Sequence, residues 1–387
     1  MRNKRNIFII QGTIELDKGG INAASIRRAN AFTERFKDDN ICLIQVHPAD
    51  DDLSGLRNGL IKNGRLKPAV NFIQPPSFQM NDSQKLDWLT GYLKEYIKKS
   101  EEVVLINEDH HIFNDIKKLH EALPKIKLVQ VLHNNHLDIK SGKIKPAYDL
   151  MFNAWPVVDL YVTLTHAQRN DILFGEGRAM ILRRTPMQKI TKISNIFPDE
   201  MKTENLDRNQ VTVFTRYNRN QKGLEHFLSK IMPLVVTEAP DIIVKMYGAL
   251  NKPEENSDAT KFQSIVSDIG LEKNVEIHDY VEDNAEKYKI MSKTLFTVLP
   301  PNYEGMPIST LEMSSAHVPT IAYDVKYGPS ELIVDSETGY LVKHGDYEQF
   351  AEKMITLWKS PALAEYFGDK SYEDLSRRYN ETSIMGY

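Results

Sequence analysis

The segment of residues 294–317 constrains the fold of this chain more than any other stretch, because three kinds of local structure follow one another in it. Residues 295–299 form an apolar, partly β-branched run, which predicts a short buried strand. The Pro300-Pro301 pair then ends the strand and begins a loop. Pro307 suits the first position of a helix, and the apolar spacing over 308–316 is helical. The segment therefore predicts a strand, a loop and a helix in that order.

Two glutamates flank the start of this predicted helix. Glu304 falls on the loop at the carboxyl end of the strand, where open α/β sheets bind their ligands. Glu312 falls about one and a half turns into the helix, at ~3.6 residues per turn. The backbone N–H groups of 305–309 would form a helix N-terminus that attracts phosphate, and Gly305 lets a ligand approach the backbone closely. Such a site suits a nucleotide-sugar, whereas the plainer alternative is two glutamates in solvent.

The second half of the chain carries another strand, turn and helix, over residues 211–236. Arg216 and Lys222 lie on either side of its turn. An arginine binds a diphosphate as a planar fork and a lysine binds it as a point charge. The pair therefore suits a diphosphate, although both could be ordinary surface cations.

The first half offers two weaker signals of the same kind. Gly19 and Gly20 precede a predicted helix and can bring an anion or a sugar acceptor close to the backbone, with a tight turn as the alternative. His133 ends the predicted strand that begins at residue 127, which is the end of a strand where ligands bind. A histidine that is hydrogen-bonded in the core or at the surface is the alternative there.

Composition limits the class of protein. A chain of 387 residues exceeds one hydrophobic core, which predicts two domains. A net charge of −4 gives no argument for a nucleic-acid partner. The single cysteine, Cys42, excludes an internal disulfide and favours a reducing compartment. No apolar run approaches the ~20 residues of a membrane span, and the run at 7–10 is too short for a signal peptide. We therefore expect a cytoplasmic protein and leave open a peripheral contact with the inner face of the membrane.

These motifs resemble a known family. The E-x7-E spacing of Glu304 and Glu312 resembles the signature of retaining glycosyltransferases of the GT-B fold, sequence family 4. The R-x5-K-G run that begins at Arg216 and contains Lys222 resembles the phosphate-binding pair of that family. The resemblance covers nearly the whole second half of the chain, and the first half only loosely.

The resemblance implies an α/β protein with two Rossmann-like domains that face each other across a cleft. Residues 1–205 would form an acceptor-binding domain and residues 206–365 a nucleotide-sugar-binding domain. Residues 366–387 would form a helix that crosses back to the first domain. The tail has no clear helix stop signal, which leaves open that the natural chain continues past Tyr387.

The resemblance also implies roles for single residues in a metal-independent hexosyltransferase. Glu304 and His133 would orient the donor sugar, and the ribose would bind Glu312. The cations Arg216 and Lys222 would stabilise the leaving diphosphate. The candidate catalytic residues are Glu304, His133, Arg216 and Lys222. The candidate substrate-binding residues are Gly19, Gly20, Tyr280 (at the nucleotide base), Gly305, Met306, Pro307, Ile308 and Glu312. No nucleophile is nominated, because retaining enzymes of this class are described by departure and attack on the same face.

Within the family, the segments KGGINAAS, HNNH and DVKYGPSELI look most like transferases that decorate poly(glycerol-phosphate) teichoic acids or serine-rich proteins of Gram-positive bacteria. Those enzymes carry an inserted β-rich domain, for which residues 50–100 leave too little chain. We expect a UDP-sugar donor, with glucose or N-acetylglucosamine as the sugar. The acceptor would be a polyol-phosphate, a glycan or a protein, and the oligomeric state stays open.

Two alternatives for function and two for metal binding remain. A non-catalytic GT-B partner subunit would keep the fold, and a GT-B isomerase of UDP-sugars would share the nucleotide site. The residues of 108–111, Glu-Asp-His-His, have side chains that metals accept as ligands, but we favour a polar loop. The three aspartates of 50–52 resemble the acidic metal motif of the GT-A fold, but we favour a solvated turn. We predict no metal site and no cofactor besides the sugar donor.

Overall fold

A computed structural model describes residues 4–14, 20–98, 102–133, 150–151, 153–175, 189–201, 207–215, 217, 219–248, 258–281 and 283–386, with the backbone alone at 219, 220 and 258. The chain divides into two compact units, Met1–Ile196 and Phe197–Tyr387. The sequence places this boundary near residue 205. The difference arises because the residues after 196 bond to the second unit: the N–H of Phe197 donates to the carbonyl of Tyr379 at 2.8 Å, and that of Met201 to Ser315 at 2.9 Å.

The described part of the first unit alternates strands with helices. In chain order these are β1 (Arg5–Gln11), α1 (Gly20–Arg35), β2 (Asn40–Gln45), α2 (Leu53–Lys62), β3 (Asn71–Ile73), α3 (Asp82–Lys98), β4 (Glu102–Asn107), α4 (Phe113–Ala122), β5 (Lys127–Leu132), β6 (Leu160–Thr163), α5 (His166–Phe174) and β7 (Ile190–Lys192).

The strands of this unit pair in the order β3-β2-β1-β4-β5-β6-β7, and every pair is parallel. The strands are apolar along most of their length, because helices cover both faces of such a sheet. The order of the strands reverses between β1 and β4. Ligands of α/β sheets bind beyond the carboxyl ends of the strands at such a reversal. The loops after β1, β4 and β5 are therefore the part of this unit to inspect.

The second unit repeats the design. Its described elements are β8 (Gln210–Phe214), α6 (Arg219–Lys222), α7 (Leu224–His226), a π-helical turn (Phe227–Ile231), α8 (Met232–Glu238), β9 (Val244–Tyr247), α9 (Asp258–Asp268), β10 (Val275–His278), α10 (Asn284–Ser292), β11 (Thr294–Leu299), α11 (Ile308–Ser315), β12 (Thr320–Asp324), α12 (Pro329–Leu332), β13 (Gly339–Lys343), α13 (Tyr347–Lys359), α14 (Pro361–Tyr379) and α15 (Glu381–Met385).

Its parallel strands follow the order β10-β9-β8-β11-β12-β13, so the order reverses between β8 and β11. All six residues of β11 are buried, which confirms the strand predicted at 295–299. The loop of 300–307 leaves the carboxyl end of β11 at this reversal and leads into α11. The fold thus brings the predicted nucleotide-sugar segment to the ligand-binding edge of its sheet.

The acidic turn at 50–52 has a local structural role. The carboxylate of Asp52 accepts from the N–H of Gly55 at 2.8 Å and caps α2, while that of Asp51 accepts from the N–H of Phe78 at 2.5 Å. Asp50 accepts in turn from the N–H of Asp52 at 2.8 Å. The bond from Gly55 satisfies a backbone group at the start of α2, as side-chain caps commonly do, and the other two hold the adjoining loops. Within the described ranges, no helix is long and apolar enough to cross a bilayer.

Candidate functional site

The loop after β11 is fixed against the turn at 221–223. The N–H of Asn302 donates to the carbonyl of Gln221 at 2.8 Å. Gly223 has a φ of 64°, and a Cβ at that position would lie 1.9 Å from the carbonyl oxygen of Pro300. Only glycine fits there, because the backbone is left-handed and the neighbouring carbonyl fills the space of a side chain. The close approach brings the residue before this glycine, Lys222, to the loop that carries Glu304.

Lys222 and Glu304 form an ion pair across this junction. The Nζ of Lys222 lies 2.5 Å from Oε1 of Glu304, and the two side chains are 14% and 6% exposed. Partial burial keeps the pair from being screened as a surface pair would be. Two residues 82 positions apart in sequence, which were predicted separately, are therefore in direct contact. The two side chains therefore lie side by side at the carboxyl edge of the sheet.

The residues after Glu304 pack closely against a second glycine. Gly328 has a φ of 95°, and a Cβ there would lie 2.8 Å from the carbonyl oxygen of Gly305 and 2.9 Å from Cδ of Pro307. Pro307 is the N-cap of α11, with a ψ of 108°, rather than its first residue. Helix α11 therefore begins one residue later than the sequence predicts. The side chains of Met306 and Ile308 are buried, so in this segment the backbone is the part suited to meet a ligand.

Glu312 lies on α11 and is half-buried. Its Oε2 lies 2.7 Å from the Nζ of Lys287, on α10. Sequence reasoning missed Lys287, because a lysine on a separate helix 25 residues before its partner has no local signal. Tyr280, two residues beyond β10, is also half-buried, and its N–H donates to the carboxylate of Asp279 at 2.7 Å. Its assignment to the nucleotide base stays a prediction.

In the first unit, His133 belongs to a buried charged cluster. Its Nε2 lies 2.5 Å from Oε2 of Glu108, and the Nε of Arg28 donates to Oε1 of Glu108 at 2.6 Å. The three side chains come from the ends of β5 and β4 and from α1. Burial alone would raise the pKa of Glu108, but the charge of Arg28 and the contact with His133 hold that pKa below its usual range. His133 is therefore held by an ionised carboxylate.

The same cluster changes the interpretation of residues 108–111 as metal ligands. Glu108 is already bound by Arg28 and His133, whereas Asp109, His110 and His111 have ligand atoms within 4.8 Å of one another. The carboxylate of Asp109 accepts from the N–H groups of Gly12 (3.2 Å) and His111 (2.9 Å). Burial, followed by the neighbouring His111, lowers the pKa of His110 to about 4. Within the described ranges, these three residues form the group whose ligand atoms lie close enough together to hold a cation, and the prediction of no metal stays a prediction.

Two candidate residues lie outside the described part of the chain, namely Gly19 and Arg216. Gly20 is described and begins α1, the helix that carries Arg28. The predicted catalytic set is thus described at Glu304, His133 and Lys222. Glu304 and Lys222 are in contact within the second unit, and His133 belongs to the first.

Comparison with a protein family covers most of the second unit. Residues 197–374 match the model of the family described as "Glycosyl transferases group 1". The second unit is therefore similar to glycosyl transferase group 1 domains. The matched residues include the loop of 300–307, helix α11 and the turn with Lys222.

Two curated proteins are similar over a large part of the chain. A poly(ribitol-phosphate) alpha-N-acetylglucosaminyltransferase of Staphylococcus aureus (strain COL) is 25% identical over 354 residues, which are 91% of this chain and 67% of that protein. A poly(glycerol-phosphate) alpha-glucosyltransferase of Bacillus subtilis (strain 168) is 23% identical over 303 residues, which are 77% of this chain and 42% of that protein. The chain thus spans 67% and 42% of the lengths of these two relatives.

Solved structures share the whole fold. TarM of S. aureus, in a complex that contains UDP, matches with a TM-score of 0.81 and 16% identity, over 99% of this chain and 98% of that chain. The pneumococcal O-GlcNAc transferase GtfA, in complex with UDP and GlcNAc, matches with a TM-score of 0.75 and 13% identity, over 100% and 98%. The GT-B fold predicted from the sequence is therefore confirmed, with two parallel-sheet α/β domains.

Proposed function

We propose that the protein is a retaining glycosyltransferase that moves a hexose from a UDP-sugar to a hydroxyl of a cell-surface polymer. The observation that carries the proposal is the contact between Lys222 and Glu304 at the carboxyl edge of β11. In this proposal, Glu304 orients the sugar and Lys222 stabilises the diphosphate. In a nucleotide-sugar these two groups are joined by one bond. The direct contact of the two side chains places both at one point of the edge, as a site for this junction requires.

The transfer step builds negative charge on the leaving diphosphate. The bond between the anomeric carbon and the β-phosphate oxygen breaks, and the hydroxyl oxygen of the acceptor bonds to the same face of that carbon. The hydroxyl proton passes to the leaving phosphate oxygen. Lys222, together with Arg216, offsets the negative charge that builds on the diphosphate, which is the task of a fixed cation in a partly dry site. Glu304 accepts a hydrogen bond from the sugar and orients it. This mechanism requires no metal.

The donor and acceptor are proposed from the relatives. Glucose and N-acetylglucosamine appear in the names of the two curated relatives, and both relatives act on polyol-phosphate polymers. UDP is present in the TarM and GtfA complexes. These names support a UDP-hexose donor and a polyol-phosphate acceptor for this chain. His133, in the first unit, remains our candidate for a contact with the donor sugar or the acceptor.

A thermal-shift screen tests the proposal. The chain is heated with UDP, UDP-glucose, UDP-N-acetylglucosamine or GDP, and UDP release is followed in the same samples. A ligand at about 100 times its Kd should add about 2.7 kcal/mol of stability. We expect stabilisation by UDP and by one UDP-sugar, with slow release of UDP by hydrolysis. No shift with any of them would contradict the proposal and favour a non-catalytic partner subunit, whereas conversion of the sugar without an acceptor would favour an isomerase.

A further inference from the structure

The side chain of Lys287 is held in place from two directions. Its Nζ lies 2.7 Å from Oε2 of Glu312, and these side chains are 17% and 13% exposed. The same Nζ lies 5.3 Å from the centre of the Phe214 ring. A lysine on a helix surface usually extends into solvent, whereas this one is withdrawn to a carboxylate and an aromatic face. This position indicates that the side chain of Lys287 does more than make the surface polar.

Phe214 is itself part of a packed arrangement. It is the last residue of β8 and packs against a small apolar cluster that includes Met291 of α10 and Met313 of α11. Helices α10 and α11 therefore each contribute a methionine to the cluster that Phe214 packs against, and Lys287 and Glu312 form their ion pair from those two helices. Both residues of the ion pair therefore lie on helices that are packed together, not on mobile surface segments.

A row of aromatic side chains begins at Phe214 and continues along the carboxyl edge of the sheet. Phe214, Tyr247 and His278 end the adjacent strands β8, β9 and β10 and are in register. The ring centres of Phe214 and Tyr247 are 5.3 Å apart, and those of Tyr247 and His278 are 4.8 Å apart with an interplanar angle of 14°. Lys287, which lies over Phe214, is thus at one end of this row.

From this arrangement we infer that Lys287 is a positioning residue of the nucleotide site, which holds the carboxylate of Glu312 in the orientation that accepts hydrogen bonds from ribose hydroxyls. The ligand class is a ribonucleoside diphosphate. This inference rests on the proposed function, because it takes Glu312 to be the residue that meets the ribose. Lys287 does not touch the ligand. It sets the preference of the site for a ribonucleotide over a 2′-deoxyribonucleotide.

The physical reason is the loss of the ion pair that fixes one oxygen of a partly buried carboxylate. Without Lys287, Oε2 of Glu312 loses its charged partner at 2.7 Å, and the side chain can rotate away from the ribose. It would then no longer present fixed acceptor oxygens to the ribose. A site that is built to bind a hydroxyl rejects an analogue without it, and that rejection is lost when the acceptor is no longer fixed.

The test compares UDP with 2′-deoxy-UDP, with binding to the full chain measured by calorimetry. We expect the wild-type protein to prefer UDP by about 10-fold or more, as for a hydrogen bond to a charged group. Lys287→Met should reduce that preference to about 3-fold or less, chiefly through weaker binding of UDP. Lys287→Arg should restore part of it. Lys289→Met is the matched control, because Lys289 is exposed on the same helix and its loss should leave the preference unchanged.

An unchanged preference in Lys287→Met would overturn the inference, as would the same change in Lys289→Met. If Lys287→Met does not fold, Lys287→Gln carries the test with the same expected and contrary results. Wild-type protein that binds neither nucleotide would instead contradict the proposed function and the inference with it. Wild-type protein that binds UDP and 2′-deoxy-UDP equally would leave the UDP site intact and refute the role of Glu312, and therefore of Lys287.

Discussion

At the scale of single residues, Lys222 is the cation whose role can be measured most simply. In the proposed mechanism, replacing Lys222 with alanine removes one fixed positive charge from beside the leaving diphosphate. We expect Lys222→Ala to lower kcat by about 100-fold or more, as does the loss of one charge-stabilising group elsewhere. Steady-state rates of UDP release measure this, with Lys230→Ala, an exposed lysine in the π-helical turn, as the control. Turnover of Lys222→Ala near that of Lys230→Ala would refute the assignment.

Glu108 gives a residue-scale prediction about pH. Because its pKa is held below the usual range in the folded protein, its ionised form stabilises the fold above pH ~4.5, and this contribution is lost as the pH falls through the lowered pKa. Glu108→Gln removes the charge and leaves Arg28 buried beside a neutral amide. We expect this variant to have a lower Tm than the wild-type protein at pH 7, and a Tm close to it in acid.

The measurement is a series of thermal melts of both proteins from pH 7 to pH 3.5. Glu337→Gln, which changes an exposed glutamate, serves as the control and should follow the wild-type curve at every pH. A difference between Glu108→Gln and wild type that is constant over the whole range would show that the charge of Glu108 does not stabilise the fold.

At the scale of elements, the junction between α6 and the loop after β11 depends on one glycine. Gly223→Ala introduces a methyl group 1.9 Å from the carbonyl oxygen of Pro300 and also strains a left-handed backbone. Gly64 is the matched control, because its φ is 68° and an added Cβ would contact nothing within 4 Å. We expect Gly64→Ala to cost about 1–2 kcal/mol of stability, the backbone strain alone.

Gly223→Ala should cost at least about 1 kcal/mol more than this control, as overpacked sites do. It should also lower turnover, because the shift of the loop separates Lys222 from Glu304. Urea unfolding curves and rates of UDP release measure the two effects. Equal losses of stability in the two alanine variants, with normal turnover, would mean that the loop does not need this close approach.

The same element shows what a sequence can and cannot predict. Glu304 and Glu312 were found because strand, proline, glycine and helix signals surround them within 24 residues, and such signals are local. The partner of Glu312 was missed, because Lys287 belongs to another helix, and the two helices come together only in the tertiary packing around Met291 and Met313. The bond between Glu108 and His133 was missed for the same reason, since its two strands are adjacent only in the sheet.

At the scale of the whole molecule, the sequence predicted two α/β domains with parallel sheets, and the strand orders and solved structures confirm the fold class. The position of the boundary between the two domains was harder to predict from the sequence. The polar run of 201–210 marks a linker by composition, yet hydrogen bonds join Phe197 and Met201 to the second unit. Amino-acid composition does not show to which domain the residues next to a linker are hydrogen-bonded. The crossing of the last helix to the first domain stays a prediction.

A prediction for the whole molecule concerns metal ions. If Lys222 and Arg216 supply the positive charge that the leaving diphosphate needs, we expect transfer to continue at an unchanged rate after dialysis against EDTA. UDP release before and after dialysis, with Mg²⁺ or Mn²⁺ added back to one sample, measures this. A strict requirement for a metal would contradict the mechanism and direct attention to Asp109, His110 and His111.

The central claim is that Glu304 and Lys222 form the site of sugar transfer from a UDP-hexose. The most direct measurement gives the enzyme UDP-glucose or UDP-N-acetylglucosamine with a poly(glycerol-phosphate) or poly(ribitol-phosphate) acceptor. UDP release and the anomeric proton signal of the product are then followed by NMR. We predict release that depends on the acceptor, a product with the anomeric configuration of the donor, and loss of most transfer in Glu304→Gln while UDP still binds. Full transfer by Glu304→Gln, or a product of inverted configuration, would contradict the account.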